Sequence, residues 1–404
     1  MRQGEIFLTG PARGGLLGCL GRIDCESVAL PPPSSPAPVR ILINALHARS
    51  GGGLTYLRNL LPLLAVEPGI EIHLCLHRNQ LQGLEPLPSG LTVHAMAFKD
   101  GFVRRLLWEQ ARVPGLARRL GATVTFSPAN FGPLLAPGSV ILLRNAIAVV
   151  ESEPRIGKRL YWLALSIMTT LSLLACRRAI AVSDYAGQAL TKSLPAGVRR
   201  RISVIHHGVS SRFSPPSADR RRDDFLLVVA DFYIQKNIHG LLAALDFLRK
   251  EFPTLRLRIA GAPIDRDYAA RIATLVSSLD LGNHVEMLGM VPAEELADLY
   301  RRCALFIFPS LAETFGNPLA EAMASGTPIV CSHTTAMPEI LGDAGLYFDP
   351  RNPAEIAARI GEALRDPVLR ERLSEKALDR ARGFSWRETA RRTADVFRAV
   401  AHRS

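Results

Sequence analysis

Short apolar runs recur along this chain and alternate with stretches of helical periodicity. Runs such as residues 39–45, 140–143 and 225–229 are typical of fully buried parallel strands. Similar runs lie at residues 70–76, 91–97, 123–126, 179–182, 202–206, 255–259, 284–288, 304–308 and 327–331. Because buried strands that alternate with helices form parallel sheets covered by helices, we expect an α/β protein with doubly wound, Rossmann-like sheets.

The alternation falls into two series. A stretch rich in proline, serine and charge at residues 209–224 separates them and is typical of an interdomain linker. We therefore predict one Rossmann-like domain at residues 39–208 and a second at residues 225–383, facing each other across a cleft. Ligands of such sheets bind at the carboxyl ends of the strands, so we expect the ligand site in this cleft.

The first residues, 1–38, contain a glycine-rich piece followed by the proline-rich sequence PPPSSPAP. Such a segment buries little apolar surface, and we expect a disordered or extraneous extension. Arg13, Arg22 and Asp24 interrupt its apolar residues, so it lacks the continuous apolar core of a signal peptide.

Composition narrows the choice of partner and compartment. The formal charge is +12, which favours anionic small molecules, anionic lipid or nucleic acid. Zinc-finger spacing and aromatic RNA-binding patterns are lacking, so we expect no nucleic acid partner. The six cysteines show no paired spacing, which argues against a disulfide framework or a structural zinc site and favours the cytoplasm.

Two predicted helices of the first domain are unusual. Residues 104–120 carry five arginines beside an apolar stripe, and Pro114 is expected to break or kink the helix. Its basic face is either an ordinary solvated surface or an attachment to an anionic membrane. Residues 160–176 are uncharged but include serines and threonines and fall short of the usual transmembrane length, so a buried or membrane-dipping helix is favoured over a spanning one.

Two carboxylates lie at the loop-to-helix hinge of segment 306–350 in the second domain, a segment whose pattern predicts a strand, a loop, a helix and a second strand. Glu313 lies on the loop, and Glu321 lies on a helix that Asn317 is expected to cap, with Pro318 at its first position. Gly316 permits close approach of a ligand to the backbone. We expect one carboxylate to bond a ribose and the other to reach the group being transferred.

Groups suited to a diphosphate lie beside these carboxylates. The backbone N–H groups of Leu319 and Ala320, in the first turn of the helix, are expected to be free to bind an anion. Lys236 follows the strand 225–229 and is expected to neutralise a diphosphate across the same crevice. Glycines 51–53 follow the first strand and form either a flexible turn or a surface that a phosphate or sugar approaches, although the GxGxxG pattern of dinucleotide-binding proteins is absent.

These segments carry a resemblance to a known family. The sequences SLAETFGNPLAEAMASGTPIV and PEILGDAGLYFDPRNP, together with LGMVP and QKN, resemble the retaining glycosyltransferases of the GT-B fold, specifically glycosyltransferase family 4, the "glycosyl transferases group 1". The resemblance extends from residue 39 to the C-terminus. It implies a first domain that binds the acceptor, a second that binds the donor, and a helix within residues 384–404 that crosses back to the first domain.

The resemblance also implies residue roles. It implies that Glu313 contacts the donor sugar, that Glu321 contacts the ribose, and that Lys236 binds the diphosphate together with the Leu319 and Ala320 amides. The other donor-binding positions that it implies are Gly52, Gly53, Met290, Val291, Thr314, Phe315, Gly316 and Asn317.

This chain departs from the family pattern at two positions. The arginine that family members have six positions before the phosphate lysine is here Ala230, and the histidine that many have after the strand 140–143 is here Arg144. We hypothesise that Arg144 helps to hold the diphosphate, with Arg49 as an alternative source of positive charge. The expected catalytic residues are therefore Glu313, Lys236 and Arg144.

The expected function is transfer of a sugar, with retention, from a nucleoside-diphosphate sugar to a saccharide or lipid-linked saccharide acceptor in surface polysaccharide or glycolipid synthesis. The resemblance implies no metal and no other cofactor. The expected location is the cytoplasm, with peripheral contact to the anionic inner leaflet of the cell membrane. Two alternatives remain, a catalytically silent GT-B binding module and a synthase with a soluble acceptor.

Overall fold

The computed structural model of the protein describes residues 38–49, 51–144, 155–216 and 222–402, except for the side chain of residue 158. The predicted extension at residues 1–38 lies almost wholly outside these ranges, as does part of the predicted linker.

The first sheet is parallel and seven-stranded, in the order β3-β2-β1-β4-β5-β6-β7. Its strands are β1 (Val39–Asn44), β2 (Ile70–His77), β3 (Leu91–Met96), β4 (Val124–Ser127), β5 (Ser139–Leu143), β6 (Arg178–Ala181) and β7 (Ile202–Val204). The order reverses between β1 and β4, so the carboxyl ends of these two strands form a crevice.

The second sheet is parallel and six-stranded, in the order β10-β9-β8-β11-β12-β13. Its strands are β8 (Phe225–Val229), β9 (Arg256–Ala260), β10 (Val285–Gly289), β11 (Leu305–Phe308), β12 (Ile329–Ser332) and β13 (Gly345–Phe348). The corresponding crevice lies between β8 and β11. The prediction of two doubly wound α/β units is confirmed.

Helices connect the strands of both sheets. They are α1 (Gly51–Leu64), α2 (Leu81–Leu84), α3 (Phe102–Arg119), α4 (Ile156–Ala175), α5 (Asp184–Thr191), α6 (Ala196–Arg199), α7 (Ile238–Leu248), α8 (Arg266–Ser278), α9 (Ala293–Arg302), α10 (Asn317–Ala324), α11 (Met337–Leu341), α12 (Pro353–Arg365), α13 (Pro367–Ala381) and α14 (Trp386–Ala401). Helix α14 packs on the first sheet, where Phe397 lies 5.1 Å from Phe126 of β4 between ring centroids.

The structure differs from the sequence-based prediction at three places. Helix α3 continues through Pro114, whose ring is buried with Val113 and Ala117, so packing of this face maintains the helix without the missing N–H. Helix α4 has one strongly exposed apolar side, so the fully buried alternative is wrong, and the membrane-dipping alternative stays a prediction. Strand β13 was not predicted, because it begins with glycine and only its last three residues are apolar, which is shorter than the apolar run typical of a buried strand.

Candidate functional site

A cavity of about 660 Å³ lies between the carboxyl ends of the two sheets. The first-sheet side contributes Gly52, Thr55, Arg144 and His207, and we call these residues the first wall. The second-sheet side contributes the second wall, which consists of Lys236, Met290, Val291, Glu313, Thr314, Phe315, Gly316, Asn317 and Glu321. Most of the predicted site residues therefore lie around one cavity, although their positions in the sequence span more than half of the chain.

Lys236 and Glu313 form an ion pair in the second wall. The distance between Lys236 Nζ and Glu313 Oε1 is 2.5 Å, and the two side chains are 19% and 14% exposed. They meet because β8 and β11 are neighbours, so the loops that follow these strands share one crevice. A ligand that uses the Lys236 ammonium must therefore share it with a carboxylate.

Asn237 fixes the backbone next to Lys236. It adopts a left-handed conformation, with φ 53°, directly after the 3₁₀ turn Ile234–Lys236. Its buried amide donates to the carbonyl oxygens of Pro309 and Pro350, at 3.2 and 2.7 Å. The amide thus ties the lysine loop to the end of β11 and to the end of β13.

The loop that carries Glu313 is anchored on both sides of the cavity. The Glu313 N–H donates to Thr335 Oγ1 at 3.0 Å within the second half of the molecule. The Thr314 hydroxyl donates to the backbone carbonyl of Arg144, and the Ser183 hydroxyl donates to the Thr314 carbonyl. The position of Glu313 therefore depends on contact between the two halves.

The start of helix α10 differs from the prediction. Gly316, with φ 82°, occupies the N-cap position, and a Cβ there would lie 3.0 Å from the Phe308 ring, so both conformation and space favour glycine. Asn317 is the first helical residue and does not cap. The N–H groups of Leu319 and Ala320 both donate to the Gly316 carbonyl, at 2.9 and 3.3 Å, so the expectation that they are free for an anion was wrong.

Glu321 lies one turn further along α10, and burial raises the pKa of its carboxyl to about 7. The hydroxyl of buried Tyr300 donates to Glu321 Oε2 at 3.2 Å, which partly offsets that effect. Glu321 also borders a second cavity of about 370 Å³, which is lined by Arg58, Arg212 and Trp386 among others. Near neutral pH the carboxyl therefore exchanges between its protonated and charged forms.

Arg144 is the cation of the first wall. Its Nε donates to the carbonyl of Pro128 at 3.1 Å, and its backbone N–H donates to Asn130 Oδ1 at 2.9 Å. Within the described part of the chain, no carboxylate lies within 4 Å of its guanidinium. Burial lowers the pKa of Arg144 to about 10, which leaves it charged at neutral pH. A cation held in this way attracts an anionic ligand.

The two predicted glycines have different roles. Gly52 lines the cavity, whereas Gly53 is buried beneath Arg144 and does not line it. A Cβ on Gly53 would lie 2.5 Å from Arg144 Nη2, while one on Gly52 would lie 3.6 Å from Nη1. The expectation that Gly53 faces a ligand was therefore wrong, because the guanidinium covers it.

His207 is a cavity residue that the sequence analysis did not identify. Its Nδ1–H donates to Asn317 Oδ1 at 2.9 Å, and its ring stacks on Trp386 with 5.5 Å between centroids. Burial lowers the pKa of His207 to about 4, so the ring is neutral. The only available signal was the pair of histidines before Gly208, and nothing local indicates that Asn317 is the partner.

The other proposed source of positive charge lies elsewhere. Arg49 pairs with Asp100 at 2.9 Å and does not line the cavity, whereas Ala230 does. Of the two cations considered as substitutes for the missing arginine, only Arg144 is on the cavity wall. Among the described residues, no group of histidine, cysteine, aspartate and glutamate is arranged to hold a metal ion.

Comparison with known proteins gives a family match for the second half. Residues 211–380 match the family model of glycosyl transferases group 1. The chain is 34% identical to the O-antigen chain mannosyltransferase B of Escherichia coli over 180 residues. These aligned residues make up 44% of this chain and 46% of that protein. The chain thus spans about half the length of this relative.

Solved structures match over a larger part of the chain. Sucrose-phosphate synthase from Thermosynechococcus elongatus has a TM-score of 0.73 at 19% identity, over 90% of this chain and 100% of that one. Anabaena Alr3699/HepE in complex with UDP-glucose has a TM-score of 0.71 at 17% identity, over 89% of this chain and 99% of that one. At these identities the likeness concerns the fold.

The fold, the paired strand-end crevices and the sequence match lead to one assignment. This chain has the GT-B fold of glycosyltransferases, and its residues 211–380, which include Lys236, Glu313 and Glu321, carry the sequence pattern of glycosyl transferases group 1.

Proposed function

We propose that this protein transfers a sugar from a nucleoside-diphosphate sugar to an acceptor hydroxyl, with the donor in the cavity between the two sheets. The observation that carries the proposal is the Arg144 guanidinium, which has no carboxylate partner among the described residues and lies across from Lys236, Glu313 and Glu321 on the opposite wall. This set of groups suits a ligand with a diphosphate and several hydroxyls.

Departure of the nucleoside diphosphate places negative charge on its phosphate oxygens. Arg144 from the first wall and Lys236 from the second wall would stabilise this charge. Pre-oriented cations of this kind accelerate the reaction, because their orientation costs little further reorganisation as the charge develops.

The carboxylates would orient the donor. Glu313 would accept hydrogen bonds from hydroxyls of the transferred sugar, and Glu321 would accept them from the ribose. Met290 and Val291, at the cavity rim, would border the base. In this arrangement Glu313 is a binding group and not a nucleophile, and the proposal includes retention of the anomeric configuration, which the resemblance to family 4 supports.

Relatives suggest which donor to test first. Several of the similar proteins are named as mannosyltransferases, and one of these acts on the O-antigen chain. We include in the proposal a mannosyl donor and an acceptor in surface polysaccharide or glycolipid synthesis, with a cytoplasmic location and no metal requirement.

A donor panel tests the proposal. UDP-, GDP- and ADP-sugars, with mannosyl donors first, would be incubated with the protein, and release of nucleoside diphosphate would be measured with and without EDTA. We expect turnover of at least one donor that persists in EDTA and falls in the Arg144→Ala variant. Binding of nucleotide without turnover of any donor, across a range of acceptors, would instead identify a silent binding module.

Product analysis tests the finer parts. Proton NMR of the first-formed product gives its anomeric configuration, and an inverted product would contradict the retaining mechanism. Comparison of soluble saccharides with lipid-linked saccharides as acceptors separates a polymer or glycolipid enzyme from a synthase with a soluble acceptor.

A further inference from the structure

Helix α4 carries an apolar stripe that is exposed on the surface of the described part of the chain. The stripe consists of Ile156, Leu160, Leu163, Ile167, Leu171 and Leu174, all of which are exposed, by 42% to 76%. Their spacing places them on one side of the helix over about 27 Å at the rise of an α-helix. This spacing distinguishes the stripe from single exposed apolar residues, which are common on proteins.

The opposite side of α4 holds the helix in place. Thr169, Ser172, Leu173 and Cys176 are buried there, and the Gly132 N–H donates to Ser172 Oγ at 3.2 Å. The helix is therefore anchored through a polar and apolar inner face. Loss of side chains from the stripe should leave this inner face intact.

Helix α3 extends the exposed apolar surface. Its first residue packs against α4, since the rings of Phe102 and Tyr161 lie 5.2 Å apart. Val103 and Leu107 of α3 are both exposed by more than 60%. The two helices thus adjoin at the start of α3, and we call their exposed sides together the α3–α4 face.

The exposed charged side chains described on the α3–α4 face are positive. Helix α3 contains five arginines, of which Arg104 and Arg112 are exposed, and Arg159 is exposed on α4. The one carboxylate in the two helices is Glu109, which is buried and bonded to Asn44 and His47. An occupant that offers apolar groups beside negative charge complements this face.

We propose that the α3–α4 face docks on an anionic lipid bilayer, with the α4 stripe inserted among the acyl chains and the arginines at the level of the headgroups. No described helix is long and apolar enough to cross a membrane, so the contact lies in the plane of the surface. A second copy of the chain is disfavoured, because a symmetric contact would bring arginines of the same face together. The proposal does not rest on the sugar-transfer reaction.

Vesicle sedimentation tests the proposal without donor or acceptor. We expect the full chain to pellet with phosphatidylcholine vesicles that contain phosphatidylglycerol, to pellet less with phosphatidylcholine alone, and to be released as salt concentration rises. The variant Leu163→Ser/Ile167→Ser should bind at least about tenfold more weakly. The matched control Phe247→Ser/Val368→Ser, which removes two exposed apolar side chains from the second half, should bind like the wild type.

A charge-reversal variant and its control test the contribution of the arginines on the α3–α4 face. Arg104→Glu/Arg112→Glu should weaken binding to the anionic vesicles by at least about tenfold, whereas Arg271→Glu/Arg372→Glu, exposed arginines of the second half, should not. All variants should keep the wild-type melting temperature and wild-type affinity for a nucleoside diphosphate. These controls separate failure at this face from failure of the donor site.

Two outcomes would overturn the proposal. One is equal vesicle binding by the wild type and the stripe variant, or no binding by either at low salt. The other is a wild-type dimer in sedimentation velocity that the stripe substitutions convert to monomer while vesicle binding is absent, which would make the face an interface between copies.

Discussion

The two walls of the cavity hold their positive charge in different ways. In the second wall the Lys236 ammonium is already neutralised by Glu313 at 2.5 Å. In the first wall Arg144 is bonded to backbone carbonyl oxygen and has no carboxylate within 4 Å among the described residues. In the second wall the positive charge is therefore neutralised by an internal ion pair. In the first wall the positive charge of Arg144 is available to an anionic ligand.

Breaking the pair in the second wall should have the largest effect. Lys236→Ala removes a cation and leaves the Glu313 carboxylate without its partner. Under the proposed function this unpaired carboxylate would repel the departing diphosphate. We expect kcat/KM to fall by about 10³-fold. Steady-state release of nucleoside diphosphate measures it, and Lys192→Ala, an exposed lysine outside the cavity, serves as the control.

Removal of the unpaired charge in the first wall should have the next largest effect. Arg144→Ala should lower kcat/KM by about 10²-fold and weaken nucleoside diphosphate binding, because no repelling carboxylate is left behind. Arg49→Ala removes an arginine that pairs with Asp100 away from the cavity, and it should retain wild-type rates. A larger loss for Arg144→Ala than for Lys236→Ala would reverse the ranking of the two walls.

Substitution of Gly53 tests whether activity depends on the position of the Arg144 guanidinium. Gly53→Ala places a Cβ 2.5 Å from Arg144 Nη2 and should displace the side chain, with a loss of about 10-fold, whereas Gly52→Ala, at 3.6 Å, should have less effect. In a double-mutant cycle, Gly53→Ala should add little once Arg144 is alanine. Additive losses would show that Gly53 acts independently of Arg144.

The raised pKa of Glu321 predicts a pH effect on the second wall. Under the proposed function Glu321 binds the ribose hydroxyls, and its charged carboxylate is the better acceptor, so affinity for nucleoside diphosphate should rise severalfold as pH increases through about 7. Titration calorimetry across this range measures the change. Glu321→Gln should bind more weakly at high pH and lose most of the pH dependence.

The raised pKa of Glu321 also predicts that the folded protein becomes less stable as pH rises, whereas its affinity for the ligand increases. The folded protein holds this proton more tightly than the unfolded chain does. The stabilisation is therefore complete below the ordinary glutamate pKa and is lost as pH rises through about 7. The melting temperature of Glu321→Gln should fall less than that of the wild type over this range. An equal fall in both proteins would mean that Glu321 is not the group responsible.

The last prediction concerns the stability of the hydrogen bond between His207 and Asn317, which joins the two walls. Asn317→Ala leaves the buried Nδ1–H of His207 without its acceptor, which should lower the free energy of unfolding by about 1–3 kcal/mol. Thermal unfolding measures the loss. Asn317→Asp keeps an acceptor and should recover part of it, whereas equal loss in both variants would argue against this hydrogen bond.

The sequence by itself determined the repeating strands and helices, the break between the two sheets, and the grouping of Glu313, Glu321 and Lys236 at one crevice. These features follow from local periodicity, from turn residues, and from the rule that neighbouring parallel strands bring their carboxyl ends together. The family pattern in residues 211–380 is local in the same sense, because the strands described within this range all belong to the second sheet.

Tertiary structure alone decided how the two walls meet. Arg144 covers Gly53, and His207 donates a hydrogen bond to Asn317. The two residues of each pair lie about ninety or more positions apart in the chain. The amides of Leu319 and Ala320 close the first turn of their own helix, which a count of cap residues does not reveal. The side of α4 that stays exposed likewise depends on what packs against the helix, because apolar spacing alone is the same for a buried stripe and an uncovered one.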